Sequence, residues 1–225
     1  FRQQLRHTYD AGKMKMGMIH PKADPFWADC FQIVTHRDER FQGRVLSEVI
    51  AALGGHPVDI LSDLILADPD AVWSQIKDKK RTLPGLLAFL EHPACIPCTD
   101  TFAYSLDPDP KDYKAPAIAY GMYPSFIDGY VKRHHALTVE QAVYRATSLP
   151  ARTFGLKGRG VLQPGAYADV LVFDLERIRM TGDALQPARP PDGIEHVLVN
   201  GQVVYQNQQH TGAQPGHVLR RQQMH

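Results

Sequence analysis

Apolar positions set two rhythms along this chain, a helical one in its first two thirds and a strand-like one after it. In GRVLSEVIAALGG (Gly43 to Gly55) apolar side chains stand at Val45, Leu46, Val49, Ile50 and Leu53, the spacing of one helix face, and two glycines end the run. PVDILSDLILAD (Pro57 to Asp68) repeats the form, with proline at its start and Leu61, Leu64 and Ile65 as the expected stripe. LPGLLAFLEH is a further helix, and residues 1 to 16 read as helical. FWADCFQIV (Phe26 to Val34) is short, apolar and preceded by Pro25, which predicts a buried strand. PACIPCTD (Pro93 to Asp100) is an apolar run ending in polar residues, the form of a strand that delivers side chains to a site. Thr138 and Gln141 in LTVEQAVYRAT make a capping box, each satisfying an orphan amide at a helix start, and Pro150 marks the far boundary. From Gly155 onward strands and turns take over, and Asn200-Gly201 between two apolar runs predicts a type I′ hairpin. No repeat or low-complexity segment interrupts this order.

Composition narrows the classes of function. The 225 residues are 44% hydrophobic, which supplies one sizeable core or parts of two smaller ones. Lys and Arg total 25 against 24 Asp and Glu, with no long basic run, so a nucleic-acid backbone finds no electrostatic partner here. A small, roughly neutral substrate fits that balance better. Apolar stretches such as Val161 to Phe173 are interrupted well short of the ~20 residues a membrane-spanning helix needs. The opening FRQQLRHTYDAGK has no secretory pattern, and the three cysteines, Cys30, Cys95 and Cys98, are an odd and sparse set; a reducing cytoplasm is the expected compartment. The chain starts inside an amphipathic helix without an initiator Met, so sequence upstream is expected.

TSLPARTFGLKGRGVLQPGAYADVLVFD (Thr147 to Asp174) and IEHVLVNGQVVYQNQQHTGAQPGHVLRR (Ile194 to Arg221) together resemble the end of the amidohydrolase superfamily, and of D-aminoacylases in particular. FQGRVLSEVIAALGGHPVDILSDLILAD (Phe41 to Asp68) resembles the insertion those enzymes carry between the seventh and eighth barrel strands, and HPACIPCTD resembles the eighth strand with its terminal Asp. The resemblance implies an α/β chain: the C-terminal part of a metal-dependent (β/α)8 TIM barrel plus the C-terminal share of a small β-sandwich domain. Residues 1–150 would be the barrel part, with the insertion at about 36–90, and residues 151–225 the β-domain segment. It also implies Zn2+, one or two ions, most of whose ligands lie outside this chain. The implied partners are a small-molecule amide and either the N-terminal half of the same barrel or a complementary chain, within a homo-oligomer.

Asp100 is the expected catalytic residue and metal ligand, since catalytic groups of such a barrel sit at the C-terminal ends of its strands. On a regular strand Ile96, Cys98 and Asp100 would share one face, with Cys95 and Pro97 on the other. That alternation sets Cys95 and Cys98 apart, so their C-x-x-C spacing does not make a metal knuckle. Cys98 is instead a candidate to line the site beside Asp100. Thr35 and His36, after the presumed seventh strand, are candidate substrate contacts, and Tyr120 in AYGMYPSF resembles part of the loop after strand eight. His134 and His135 are adjacent and cannot share one ion, while His20, His56 and His92 each precede a proline and belong to turns. The expected activity is hydrolysis of C–N amide bonds, of the N-acyl-amino-acid deacylase kind and incomplete without upstream residues. A hydantoinase-like or dihydropyrimidinase-like cyclic-amide hydrolase is the first alternative, and a catalytically inactive structural or regulatory subunit the second.

One departure from the resemblance bears on substrate. D-aminoacylases carry a His-Pro-Arg segment before the Tyr-Gly that matches Tyr120-Gly121, and its Arg is expected to hold the substrate's α-carboxylate. Here the chain reads KAPAIAYG, so Ala115, Pro116, Ala117 and Ile118 supply neither His nor Arg. Lys111, Lys114 or His36 are the candidate replacements.

Overall fold

The computed structural model describes residues 1–15, 21–22, 24–75, 82–105 and 115–219, and Lys111 and Lys114 lie outside them. It divides into two compact units, Phe1–Thr82 and Leu83–His225, each with its own core.

The first unit runs α1 (Arg2–Asp10), a 3-10 turn (Trp27–Cys30), β1 (Phe31–Thr35), a second 3-10 turn (Glu39–Phe41), α2 (Leu46–Leu53), α3 (Pro57–Ala67) and β2 (Val72–Gln75). The expected strand over Phe26 to Val34 is thus half turn and half strand. Asp24 explains the split: its carboxylate accepts from the Phe26 amide and its carbonyl from the Trp27 amide at 3.1 Å, which coils the chain before it can extend. β1 pairs antiparallel with β2. Ile33, Leu46 and Val49 are at most 2% exposed and pack with Trp27, Ile60 and Leu64. The stripe expected on α3 is rotated: Val58, Ile60 and Leu64 are buried, whereas Ile65 is 51% exposed. His56 caps α3, accepting from the Val58 amide at 3.2 Å, which fits its place before Pro57. α1 is shorter than expected and buries no residue completely; Arg6 bonds Asp59 of α3, and the Trp27 indole donates to the Tyr9 hydroxyl at 3.1 Å.

The second unit holds α4 (Leu83–Glu91), α5 (Ile118–Ile127) continued by a π turn (Asp128–Arg133), α6 (Val139–Ala146), α7 (Ser148–Phe154) and the strands β3 (Val170–Phe173), β4 (Ile194–Val199), β5 (Gln202–Gln206) and β6 (Gln209–His210). The strands form one antiparallel meander in sequence order. The capping box is present: the Gln141 amide donates to Thr138 Oγ1 at 3.3 Å, and the Thr138 amide to Gln141 Oε1 at 2.9 Å. Pro150 does not end a helix; it sits in the first turn of α7, where its missing N–H would have had no helical partner. The AYGMYPSF segment, read as a loop, is mostly α5: Gly121 kinks the helix because the side chain of Met180 occupies the space a Cβ would need, 2.5 Å away. Leu90, Phe126, Ile127, Leu137, Ala142 and Ile178 form the core, and Lys132 ties the π turn to the carbonyls of Glu176 (2.7 Å) and Ile178 (3.3 Å).

Asn200 (φ 48°) and Gly201 (φ 81°) make the two-residue turn that joins β4 to β5. Asp169 accepts from the Asn200 amide at 2.9 Å, and Arg159 bonds both Asp169 and Asn200 Oδ1. The sheet does not bury one face cleanly, since Leu171 is 45% and Val172 42% exposed. Among the described residues no strand pair is parallel, and no single helix is long and apolar enough to cross a membrane.

Gly193 closes the loop that precedes β4. Its φ is 79°, and a Cβ there would stand 2.4 Å from the Ile178 amide nitrogen and 2.7 Å from the Arg177 carbonyl carbon. Backbone cannot yield as a side-chain tip does. Gly193→Ala is expected to cost at least ~2 kcal/mol of stability; thermal unfolding of the variant checks this, and an unchanged midpoint would show the loop to be free to reshape.

Candidate active site

Asp100 ends a segment that is not a strand. After α4 the chain turns at His92, whose carbonyl accepts the Cys95 amide at 3.0 Å and whose Nδ1 accepts the Ala94 amide at 3.2 Å. Cys95 to Asp100 then runs without a ladder partner among the described residues. Three side-chain contacts hold it instead. Arg145 on α6 donates to the Cys95 carbonyl at 3.2 Å, Tyr123 on α5 donates to the Pro97 carbonyl at 3.3 Å, and the Asp100 amide donates to Cys98 Sγ at 3.4 Å. Asp100 takes φ 48°, a left-handed conformation that Asp tolerates better than most residues and that no strand contains. The alternating face expected for Ile96, Cys98 and Asp100 is therefore replaced by a turn that folds Asp100 back on Cys98. Both are solvent-exposed.

Aromatic rings stand on the adjoining chain. Tyr104 lies 6.2 Å from Tyr120 between ring centroids and 6.3 Å from Phe102. Burial, helped by Tyr104, pushes the Tyr120 phenol above its usual value; burial, helped by Cys98, does the same to Tyr123. Both stay protonated at neutral pH, so they offer donors and no negative charge there. Tyr120 and Tyr123 also line a cavity of about 780 Å3 whose other walls include Val143, Tyr144, Val161 and Leu171. Sequence reasoning named Asp100, Cys98 and Tyr120; Asp100 contacts Cys98, and Tyr120 stands beside Tyr104. Tyr104, the tether role of Tyr123, and Arg145 went unnamed.

Thr35 and His36 belong to the first unit. His36 is 5% exposed, and both ring nitrogens have partners: Nε2 pairs with the Leu64 carbonyl at 3.2 Å, and Nδ1 accepts the Asp38 amide at 3.0 Å. Its ring stands edge-on to Phe41 at 5.3 Å. Thr35 Oγ1 accepts from the Val72 amide, and the buried Asp68 carboxylate accepts from the Arg37 amide at 2.7 Å. This corner joins the end of β1 to the end of α3. Its polar atoms are turned inward.

The described residues contain no group of three His, Cys, Asp or Glu side chains placed to hold a metal ion. Asp100 offers one carboxylate, which by itself is not a zinc site.

With this geometry in hand, comparison with known proteins shows what the chain resembles. A model of the amidohydrolase family matches residues 116–205. The N-acyl-D-glutamate deacylase of Alcaligenes xylosoxydans xylosoxydans is 40% identical over 133 residues, 58% of this chain and 25% of that protein. The D-aminoacylase of the same organism is 34% identical over 179 residues, 80% of this chain and 34% of that protein. The chain is similar to D-aminoacylases of the amidohydrolase family. In structure it is similar to the N-acyl-D-glutamate deacylase of Bordetella bronchiseptica, solved with zinc and a phosphonate mimic of the reaction's tetrahedral intermediate: TM-score 0.59, 30% identity, 80% of this chain and 35% of that one. The chain spans about a quarter to a third of the length of the curated relatives it matches.

His36 gives a test that separates packing from substrate contact. His36→Ala is expected to lower stability by ~2 kcal/mol or more, through a cavity beside Phe41 and two lost hydrogen bonds, while changing KM for an amide substrate less than about threefold. A KM raised ~10-fold or more with an unchanged melting temperature would put the imidazole at the substrate instead.

Proposed function

We propose that this chain contributes to a hydrolase of C–N amide bonds, acting on N-acylated amino compounds, with Asp100 as the proton-transfer group. The observation that carries the reading is the exposed Asp100 carboxylate, held at the end of a side-chain-tethered segment beside Cys98 and near protonated tyrosines. Similarity to deacylases on both sides of that segment supports it. In the proposed reaction a water attacks the amide carbon while its proton passes to the Asp100 carboxylate. The same proton then goes to the leaving nitrogen as the C–N bond breaks. Tyr120 and Cys98 are placed to border the substrate.

The described residues do not fit a zinc ion by themselves, and no step is derived through one. The zinc of the Bordetella bronchiseptica enzyme supports a metal in the complete protein, with its remaining ligands supplied from outside this chain. By the same likeness we assign residues 1–150 to the end of a (β/α)8 barrel with its insertion, and residues 151–225 to a small β domain. The antiparallel meander of β3 to β6, which lies within 151–225, supports that assignment.

Replacing Asp100 tests the catalytic assignment. Asp100→Asn in the full-length protein is expected to lower kcat by ~10³-fold or more, since one positioned base contributes 10²–10⁴. Circular dichroism and the melting temperature should hardly change, because the side chain is exposed. Near-normal turnover would assign Asp100 to the turn alone.

Substrate choice follows from what stands before Tyr120. Ala115, Pro116, Ala117 and Ile118 offer no cation, and a bidentate guanidinium clamp on a carboxylate is not reproduced by alanine. We infer a preference for amides without a free α-carboxylate, or with one gripped by a residue elsewhere. The measurement is kcat/KM for an N-acyl-D-amino acid against its carboxamide. A ratio below unity, favouring the carboxamide, is expected where no clamp exists; an advantage of ~10²-fold for the acid would show that a clamp persists, supplied by a residue elsewhere.

A further inference from the structure

Arg145 is a cation buried where charge is costly. Only 8% of it is exposed, and none of the ion pairs among the described residues includes it. Its guanidinium spends its donors on backbone: Nη1 to the His92 carbonyl at 2.6 Å and the Cys95 carbonyl at 3.2 Å, Nη2 to the Glu91 carbonyl at 3.2 Å. Glu91 is the last residue of α4, so the charge sits against the negative end of that helix dipole, with one of its bonds on a carbonyl of the helix's last turn. Charge-assisted hydrogen bonds to three oxygens offset the loss of water. The fork spans Glu91 to Cys95, and the chain beyond Cys95 has no ladder to hold it. Arg145 comes from α6, fixed by its capping box and by the burial of Ala142 one turn earlier.

We propose that Arg145 is the positioning residue of the site: it sets the direction in which the Cys95 to Asp100 segment leaves α4, and through it the place of the Asp100 carboxylate. The inference rests on the reading of Asp100 as the proton-transfer group. A displacement of about 1 Å at a catalytic group costs on the order of 10²-fold in rate. Three carbonyl bonds to one rigid fork suppress such displacements.

The test uses the full-length protein, with kcat taken per folded molecule. Arg145→Met is expected to lower kcat about 10²-fold and Arg145→Lys, which keeps the charge but not the fork, about 10-fold, each with KM within about threefold. The same Arg145→Lys change is then made on Asp100→Glu, whose carboxylate is already displaced, and there it should cost less than about twofold. Equal losses in both backgrounds, or no loss in either, would overturn the inference and leave Arg145 as a part of the fold. If the Arg145 variants do not fold, Tyr123→Phe removes the other side-chain tether, at the Pro97 carbonyl, and the same pair of backgrounds decides: equal losses or none overturn the tether argument, and a loss confined to native Asp100 supports it. Asp100→Asn alone reports on the catalytic reading. Normal turnover there removes that reading, whereas a large loss there with unaffected Arg145 variants removes only the positioning role.

Discussion

A peptide segment that has no ladder must still satisfy its carbonyls, and that constraint shapes everything around Asp100. Between α4 and Asp100 the chain has neither helix nor sheet to absorb its polar groups, so side chains from two other helices do so. Each such bond is worth roughly 0.5–1.5 kcal/mol net, and more where the donor is charged. Their directional effect matters more than the sum. Arg145 fixes the start of the segment, Tyr123 its middle, and the hydrogen bond from the Asp100 amide to the Cys98 thiol sulfur its end. α5 and α6 are therefore walls of the site as well as parts of a core.

Much of this was legible in the chain. α2, α4 and α6 lie within a residue or two of where apolar spacing and capping chemistry put them, because their signals are local: Gly54 and Gly55 past α2, the Thr138–Gln141 box at α6. The Asn200-Gly201 turn is where only such a pair sits without strain. What was not legible depends on partners. Pro93 to Asp100 has the composition of a strand, but a strand exists only beside a neighbour. α5 hides behind Gly121 and Pro124, ordinarily loop residues, since the reason for Gly121 is Met180, far along the sequence. The turn at Asn207 and Gln208 lacks a glycine, although both residues have positive φ. Arg145 did carry a signal that went unread: it stands three residues after Ala142 on the buried face of an amphipathic helix, where a cation belongs only if carbonyls await it.

The two units divide labour in a way the sequence pattern did not foretell. The corner formed by Thr35, His36 and Asp68 uses polar side chains to stop a strand and a helix at the same place. An inward-facing imidazole with both nitrogens matched is a rigid joint. The segment that bears Asp100 is the reverse case: its polar end faces water and its attachments lie behind it. Burial, rather than residue type, separates the histidine that holds structure from the carboxylate that is free to react.

The aromatic flank completes the chemistry. In the proposed reaction, a carboxylate that takes a proton from water and returns it to nitrogen works best with donors close by that do not compete for the proton. Tyr120 and Tyr123 meet that condition because burial raises their phenols instead of lowering them. Were either tyrosine ionised, its charge would repel the Asp100 anion and any oxyanion formed at the amide carbon. The packing that keeps them neutral also makes them part of a cavity wall, so one packing decision sets both the shape of that cavity and the protonation of the phenols that line it.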